Sequence, residues 1–327
     1  MLIFIVAAQV YRFSAILVPM KCSVIVANYN NATVIRQALQ SIEQQTYTNW
    51  EVVIVDDGST DDSLQTIESY LATVPDRTKY NFIAFAENKG QPTAKHVGVT
   101  NSTGKVVGIC DPDDALHPEA IAKIMQAHAL NPAASIVFTN LYRCNHTLKN
   151  CVAGNEAGAI MNSNLIDDKV SAFATFKRSA YDKTTGFSPE FKLASDKDLY
   201  FKLEETGDII YVAEPLYFYR VWPKGVSQGF DNYVRSRDYR LLAIEKAVAR
   251  RKVSGIKVPE QKDLNKLLSE IHLLQAEGLI YSEQRLGTKF LKHLGLAILY
   301  NPLGSINRKI KAAFILSRIK RKLKKQL

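Results

Sequence analysis

From Lys21 to Thr139, short apolar runs rich in β-branched residues alternate with stretches in which apolar residues return every three or four positions. The runs Cys22–Ala27, Glu51–Val55, Asn81–Phe85, Val106–Cys110 and Ser135–Thr139 read as strands. Between them, Ile35, Ala38, Leu39 and Ile42, then Leu64, Ile67 and Leu71, mark amphipathic helices, the second behind the cap-like Ser59-Thr60-Asp61. Pro118 opens a further helix through Ala129. Strands that alternate with helices predict an α/β fold with a mostly parallel sheet, a type that gathers ligands at the carboxyl ends of its strands.

The stretch from Asn140 to Asp168 is poor in periodic signal and rich in Asn, Gly and Asp, which predicts loops or short antiparallel strands and room for an acceptor. After Tyr233, helical spacing returns in Leu241, Leu242, Ile244, Ala247 and Val248, in Leu264, Leu267, Leu268, Ile271 and Leu274, and in Phe290, Leu291, Leu294 and Ile298. A boundary is therefore expected near Asn232, with 20–232 as one α/β domain and 233–327 as a helical C-terminal region. The length of 327 residues, 46% of them hydrophobic, suits a sizeable core. Ahead of it, the apolar Leu2–Val18 is broken by Gln9, Tyr11, Arg12 and Ser14, too often for a bilayer span and without the features of a strong signal peptide. Because Met20 opens directly into the first strand, residues 1–19 are expected to be a non-native or disordered extension.

The net charge of +10 matters through its location: nine Lys and Arg and no acid lie between Ser305 and Leu327, leaving +1 for the rest. Ala312, Leu316, Ile319, Leu323 and Leu327 form an apolar helical stripe beside those cations, which fits peripheral attachment to an anionic membrane surface. Phe314 is the one aromatic residue there, so no nucleic-acid partner is expected; the plainer alternative is a solvated helix packed on its own domain. Cys22 and Cys110 lie inside apolar runs and read as core thiols. Cys144 and Cys151 flank a polar loop compatible with a disulfide or half a metal site, without a second ligand pair at metal spacing; the expectation is a reduced, cytoplasmic chain.

Chemistry enters at the strand ends. The first strand runs into Tyr29-Asn30-Asn31, the second into Asp56-Asp57-Gly58-Ser59 and the fourth into Asp111-Pro112-Asp113-Asp114. Acidic residues at such places ordinarily form turns or cap helices, and Asp114 is read so. Three carboxylates within four residues repel one another unless compensated, and a hard divalent ion with oxygen ligands is the natural compensation.

Tyr29-Asn30, Val55-Asp56-Asp57-Gly58-Ser59-Thr60-Asp61, Asn88-Lys89-Gly90 followed by Ala94-Lys95, Asp111-Pro112-Asp113, and Ser195-Asp196-Lys197-Asp198 stand in a specific order and spacing. From Lys21 to Ser227 the chain resembles glycosyltransferase family 2. The resemblance implies the GT-A fold, a Rossmann-like sheet with flanking helices, and inverting transfer of one sugar from a nucleotide-sugar donor, with UDP expected, to a hydroxyl of a glycan or lipid-linked acceptor. It places Tyr29 on the face of the base, Asp57 on its edge and Lys95 near a phosphate. Asp111 falls to the ribose or the metal, Asp113 to a Mn2+ or Mg2+ ion bridging the phosphates, and Asp196 to the acceptor proton. Ser195 and Asp198 imitate a capping box, which gives Asp198 a structural task. Two positions depart from the family pattern. Thr185 replaces a common glycine before Gly186, and Trp222, in Tyr219-Arg220-Val221-Trp222, replaces a His able to join the metal site.

A glycine-rich G-x-G-x-R loop for a nucleotidyltransferase is missing after the first strand, and so are the spans and Q-x-x-R-W motif of a processive synthase. The competing class is a catalytically inactive nucleotide- or phosphate-binding module with a basic tail for a membrane or nucleic acid.

Overall fold

The structure, a computed structural model, describes residues 20–222, 230–281 and 288–310, and 312. The expected extension at 1–19 and most of the basic tail lie outside the described residues.

Strands β1 (Cys22–Asn28), β2 (Trp50–Asp56), β3 (Tyr80–Ala84) and β4 (Val106–Ile109) pair in parallel in the order β3-β2-β1-β4. Each is within a residue or two of its expected span. Helices α1 (Ile35–Glu43), α2 (Ser63–Leu71) and α3 (Gln91–Thr100) supply the crossovers. Beyond β4 the sheet becomes mixed, continuing β8-β6-β9-β5 with β7 on the side of β6. Its strands are β5 (Ala115–Leu116), β6 (Ala134–Cys144), β7 (Val152–Ala153), β8 (Ala174–Lys177) and β9 (Asp208–Arg220). Helix α4 (Ala120–Leu130) precedes β6; the short α5 (Asn164–Asp167) and α6 (Arg178–Tyr181) flank β8, and α7 (Ser195–Glu204) leads into β9.

Two apolar layers close the sheet. Ile35, Leu39 and Ile42 of α1, Ile67 of α2 and Ile121 of α4 cover one face; Ala94 and Val99 of α3 with Leu199 and Leu203 of α7 cover the other. This is the expected α/β sheet with flanking helices, made mixed by β8 and β5. The C-terminal helices α8 (Phe230–Val253), α9 (Gln261–Tyr281) and α10 (Thr288–Tyr300) follow. α8 and α9 pack through Ala243, Ile244, Ala247 and Leu264 on Phe201 of α7. Arg251 pairs with Glu204 at 2.6 Å and Arg250 with Glu205 at 2.6 Å, pinning α8 to the end of α7.

Cys144 and Cys151 form a disulfide across the β6–β7 connection. This corrects the expectation of a reduced pair: the hairpin turns back so tightly that the two Cα atoms are 4.1 Å apart. Cys22 and Cys110 are free and buried, and burial pushes the Cys22 thiol up to about 12.

Candidate active site

Parallel register sets the ends of β1, β2 and β4 side by side, with Asn28 opposite Asp56 and Ile25 opposite Ile109. Asp56 is fully buried and accepts from Asn28 Nδ2 at 2.7 Å, Ser59 N at 2.9 Å and Ser59 Oγ at 2.7 Å. Asn30 donates its amide to Ser59 Oγ at 2.9 Å, and its side-chain oxygen accepts from Thr60 N at 2.8 Å. These bonds knit the first two strand ends together and leave the Tyr29 side chain 44% exposed at the sheet's edge.

Asp57 is only 2% exposed. Its Oδ1 accepts from Lys89 N at 2.7 Å and its Oδ2 from Gly90 N at 2.9 Å, so it fastens the Asn88-Lys89-Gly90 segment to β2. Burial raises its pKa and the two amides oppose that shift. Gly58 has φ +68, and a Cβ there would stand 2.4 Å from the Glu87 carbonyl carbon. Only glycine lets the two segments approach so closely. One turn into α3, Lys95 brings its ammonium to 3.1 Å from Asp111 Oδ1 rather than leaving it unpaired.

The acidic turn after β4 is held from β9. Asp111 N donates to the Tyr217 hydroxyl at 3.1 Å, and buried Asp114 accepts from Arg220 N at 2.7 Å. Asp114 therefore ties the turn to β9; the residue at the cap of α4 is Glu119. Burial, then the charges of Asp113 and Asp111, raises the Asp114 pKa well above the usual carboxylate range. The buried Arg220 guanidinium donates to the carbonyls of Asp113 and His146 and to Gln37 Oε1. Trp222 donates its indole N–H to Asp113 Oδ2 at 3.0 Å. An indole offers no lone pair to a metal, so the residue in the histidine position acts by hydrogen bonding.

α7 starts after Ala194, whose φ is +55, and no side chain caps it. The expected capping box is thus corrected. Asp198 is 1% exposed and accepts from Ser188 Oγ at 2.9 Å while pairing with Lys202 Nζ at 2.6 Å, four residues on. Ser188 and Lys202 draw its carboxylate inward, away from the helix start. Asp196 stays partly exposed in the first turn. Tyr200, one turn later and buried, connects this helix to the acidic turn: burial first, then the charges of both Asp196 and Asp111, holds its phenol proton on. The late Asp196 and the turn after β4 thus bear on one buried hydroxyl.

Among the described residues no group of three His, Cys, Asp or Glu side chains is arranged around a cation. The donor set nevertheless fits one kind of ion. Lys95 stands at Asp111 Oδ1 and Trp222 occupies Asp113 Oδ2, which leaves one oxygen of each carboxylate. Magnesium-like cations bind through one or two carboxylates together with substrate phosphates, and this pair meets that requirement.

Residues 23–185 match the model of Glycosyl transferase family 2. The chain belongs to this family. Relatives include an uncharacterized glycosyltransferase of Nostoc, 37% identical over 118 residues that make up 36% of each chain. The chondroitin synthase of Escherichia coli is 29% identical over 60% of this chain and 28% of the synthase. The chain thus spans about a third of the length of these relatives. Among solved structures, S. aureus TarS 1-349 in complex with UDP-GlcNAc superimposes with a TM-score of 0.64 at 18% identity, covering 86% of this chain and 81% of that one. The mannosyltransferase PcManGT of Pyrobaculum calidifontis, in complex with GDP-Man and Mn2+, has a TM-score of 0.56 at 19% identity over 98% and 88%. Both show that the fold is shared.

Three of the residues that organise the candidate site received no role from the sequence. Tyr217 and Arg220 lie on β9, and Tyr200 was overlooked although it stands four residues after Asp196, one helical turn along the same face.

Proposed function

We propose that this chain transfers a single sugar from a nucleotide-sugar donor, UDP-linked by preference, to an acceptor hydroxyl with inversion at the anomeric carbon. The observation that carries the reading is the cluster of motif residues at the strand ends, where Asp57 holds Lys89 and Gly90, Lys95 pairs with Asp111 at 3.1 Å and Trp222 donates to Asp113 at 3.0 Å. Support for the donor comes from the bound UDP-GlcNAc and GDP-Man of the two structural neighbours.

In this reading the exposed Tyr29 ring stacks on the base, and Asp57 takes a base-edge N–H in addition to its two amides. Lys95 spans from Asp111 toward a donor phosphate with its remaining hydrogens. Asp111 and Asp113 hold the Mn2+ or Mg2+ ion, which supplies charge neutralisation on the diphosphate. Asp196 accepts the acceptor's proton as its oxygen bonds to the anomeric carbon. The bond from that carbon to the diphosphate oxygen breaks with its electrons on the nucleoside diphosphate.

The acceptor is a glycan or lipid-linked molecule, and the Lys- and Arg-rich 305–327 segment holds the enzyme peripherally on an anionic membrane surface. No helix among the described residues is long and apolar enough to cross a membrane. A screen of nucleotide sugars by thermal shift and by release of nucleoside diphosphate, each with Mn2+, Mg2+ or chelator, tests the donor and metal. Stabilisation by donors without release of nucleoside diphosphate, acceptor included, would favour the inactive binding module.

A further inference from the structure

α10 is apolar on two opposite sides. Phe290, Leu294 and Ala297 are buried in the cluster shared with α9. Leu291, Gly295, Ile298 and Leu299 form one row on the other side and are exposed. Exposed apolar residues continue past the helix with Leu303, Ile306 and Ile310; Leu299 is 73% and Leu303 81% exposed. Scattered surface leucines are ordinary, but a row of them along a helix marks a binding surface.

Charge narrows the occupant. From Thr288 to Leu327 the sequence has eleven Lys and Arg and no Asp or Glu. Lys292 is exposed beside Leu291, while Lys289 and Arg308 already pair with Asp238 and with Glu270 and Glu277. A second copy docked through this row would set two acid-free basic segments against each other, whereas an anionic surface would complement both the row and its cations.

We propose that the outward row of α10, with Leu303, Ile306 and Ile310, is a docking surface for an anionic lipid membrane. The apolar side chains enter the headgroup boundary and the flanking cations meet lipid phosphates. α10 has 13 residues, so at about 1.5 Å per residue it is roughly 20 Å long and lies in the surface rather than crossing it. The inference deepens the membrane part of the reading above by naming the surface, and it holds whether or not the chain transfers sugars.

The test is co-sedimentation of the full chain with vesicles of phosphatidylglycerol mixed with phosphatidylcholine, against phosphatidylcholine alone. Leu299→Glu and Leu303→Glu are compared with Val253→Glu, a change at a 90% exposed apolar residue at the end of α8. A full-length tail variant carries Lys320→Gln, Arg321→Gln and Lys322→Gln. The expected result is binding to the anionic vesicles that falls roughly tenfold or more in each α10-side variant and is unchanged in Val253→Glu. If only the tail variant loses binding, the surface assignment is overturned while the membrane reading survives. No binding by the unaltered chain overturns both. Sedimentation velocity showing a dimer that Leu299→Glu dissociates would assign the row to a second copy and also overturn the proposal.

Discussion

Two carboxylates two residues apart in α7 are assigned opposite tasks, and exchanging each for its amide separates them. Asp196→Asn keeps the shape of the side chain but cannot take a proton. Turnover should fall roughly 10²–10⁴-fold, the range for a positioned base, while donor affinity and thermal midpoint stay near those of the unaltered protein. Asp198→Asn acts on the fold. Its carboxylate and the Lys202 ammonium are both buried, 2.6 Å apart, and removing one partner of such a pair costs about 3–5 kcal/mol. Lys202 retains the Gly186 carbonyl at 2.8 Å and Ser188 Oγ at 2.6 Å, so the lower end, about 3 kcal/mol, is expected. At about 1.5 °C per kcal/mol for a chain of this size, the thermal midpoint should drop roughly 4–5 °C. The assays are differential scanning calorimetry, donor binding by isothermal calorimetry, and nucleoside diphosphate release below the variants' transitions. A stable Asp198→Asn variant that has lost turnover, beside an active Asp196→Asn, would reverse the assignment. Two active variants would move the base elsewhere.

Asp113→Ala should weaken metal-dependent donor binding by at least about tenfold, read by calorimetry with UDP and Mn2+; unchanged affinity removes Asp113 from the metal site. Burial holds His128 down to about 3 and His293 down to about 4. The unfolded chain, titrating near 6.5, therefore takes up protons first, and stability should decline as pH falls below about 6.5 toward 4. His293→Gln should make that decline shallower in thermal scans between about pH 7 and pH 5, and an identical slope would count against the burial argument. In freshly lysed cells treated with a thiol-blocking reagent under denaturing conditions, mass measurement should find Cys22 and Cys110 labelled and Cys144 and Cys151 protected; four labelled cysteines would mean that the pair is reduced where the protein works.

The parallel half of the sheet was legible because β1, β2 and β4 are continuous apolar runs buried on both faces, the strongest local signature a strand can carry. β9 was not. Its 13 residues are largely half-buried, and Pro215 within them reads as a strand breaker. The structure accommodates that proline opposite Asn140, where the register between β6 and β9 shifts, and the same Asn140 masked the extension of β6 to Cys144. Missing β9 meant missing Tyr217 and leaving Arg220 without a role, and their contacts with the acidic turn come from about a hundred residues away. The capping box failed for a related reason: its spacing is local, but Asp198 is claimed by Ser188 and Lys202 across a tertiary contact that spacing does not encode.

Hydrogen-bond saturation divides the motif residues more sharply than their identity does. Asp56, Asp114 and Asp198 are all buried, and each already serves backbone or side-chain donors within the fold, so a ligand would have to enter the interior to reach them. Tyr29, Asp111, Asp113 and Asp196 keep exposure at the sheet's edge. Asp57 stands between the classes, nearly inaccessible yet with each oxygen engaged by one amide and able to accept a second donor. Trp222 fits the same division. By donating to one oxygen of Asp113 it fixes the carboxylate's rotation and leaves the other oxygen to the substrate side. A cation held by the free oxygens of Asp111 and Asp113 would take its remaining ligands from the donor's own phosphates and from water, since an indole supplies none.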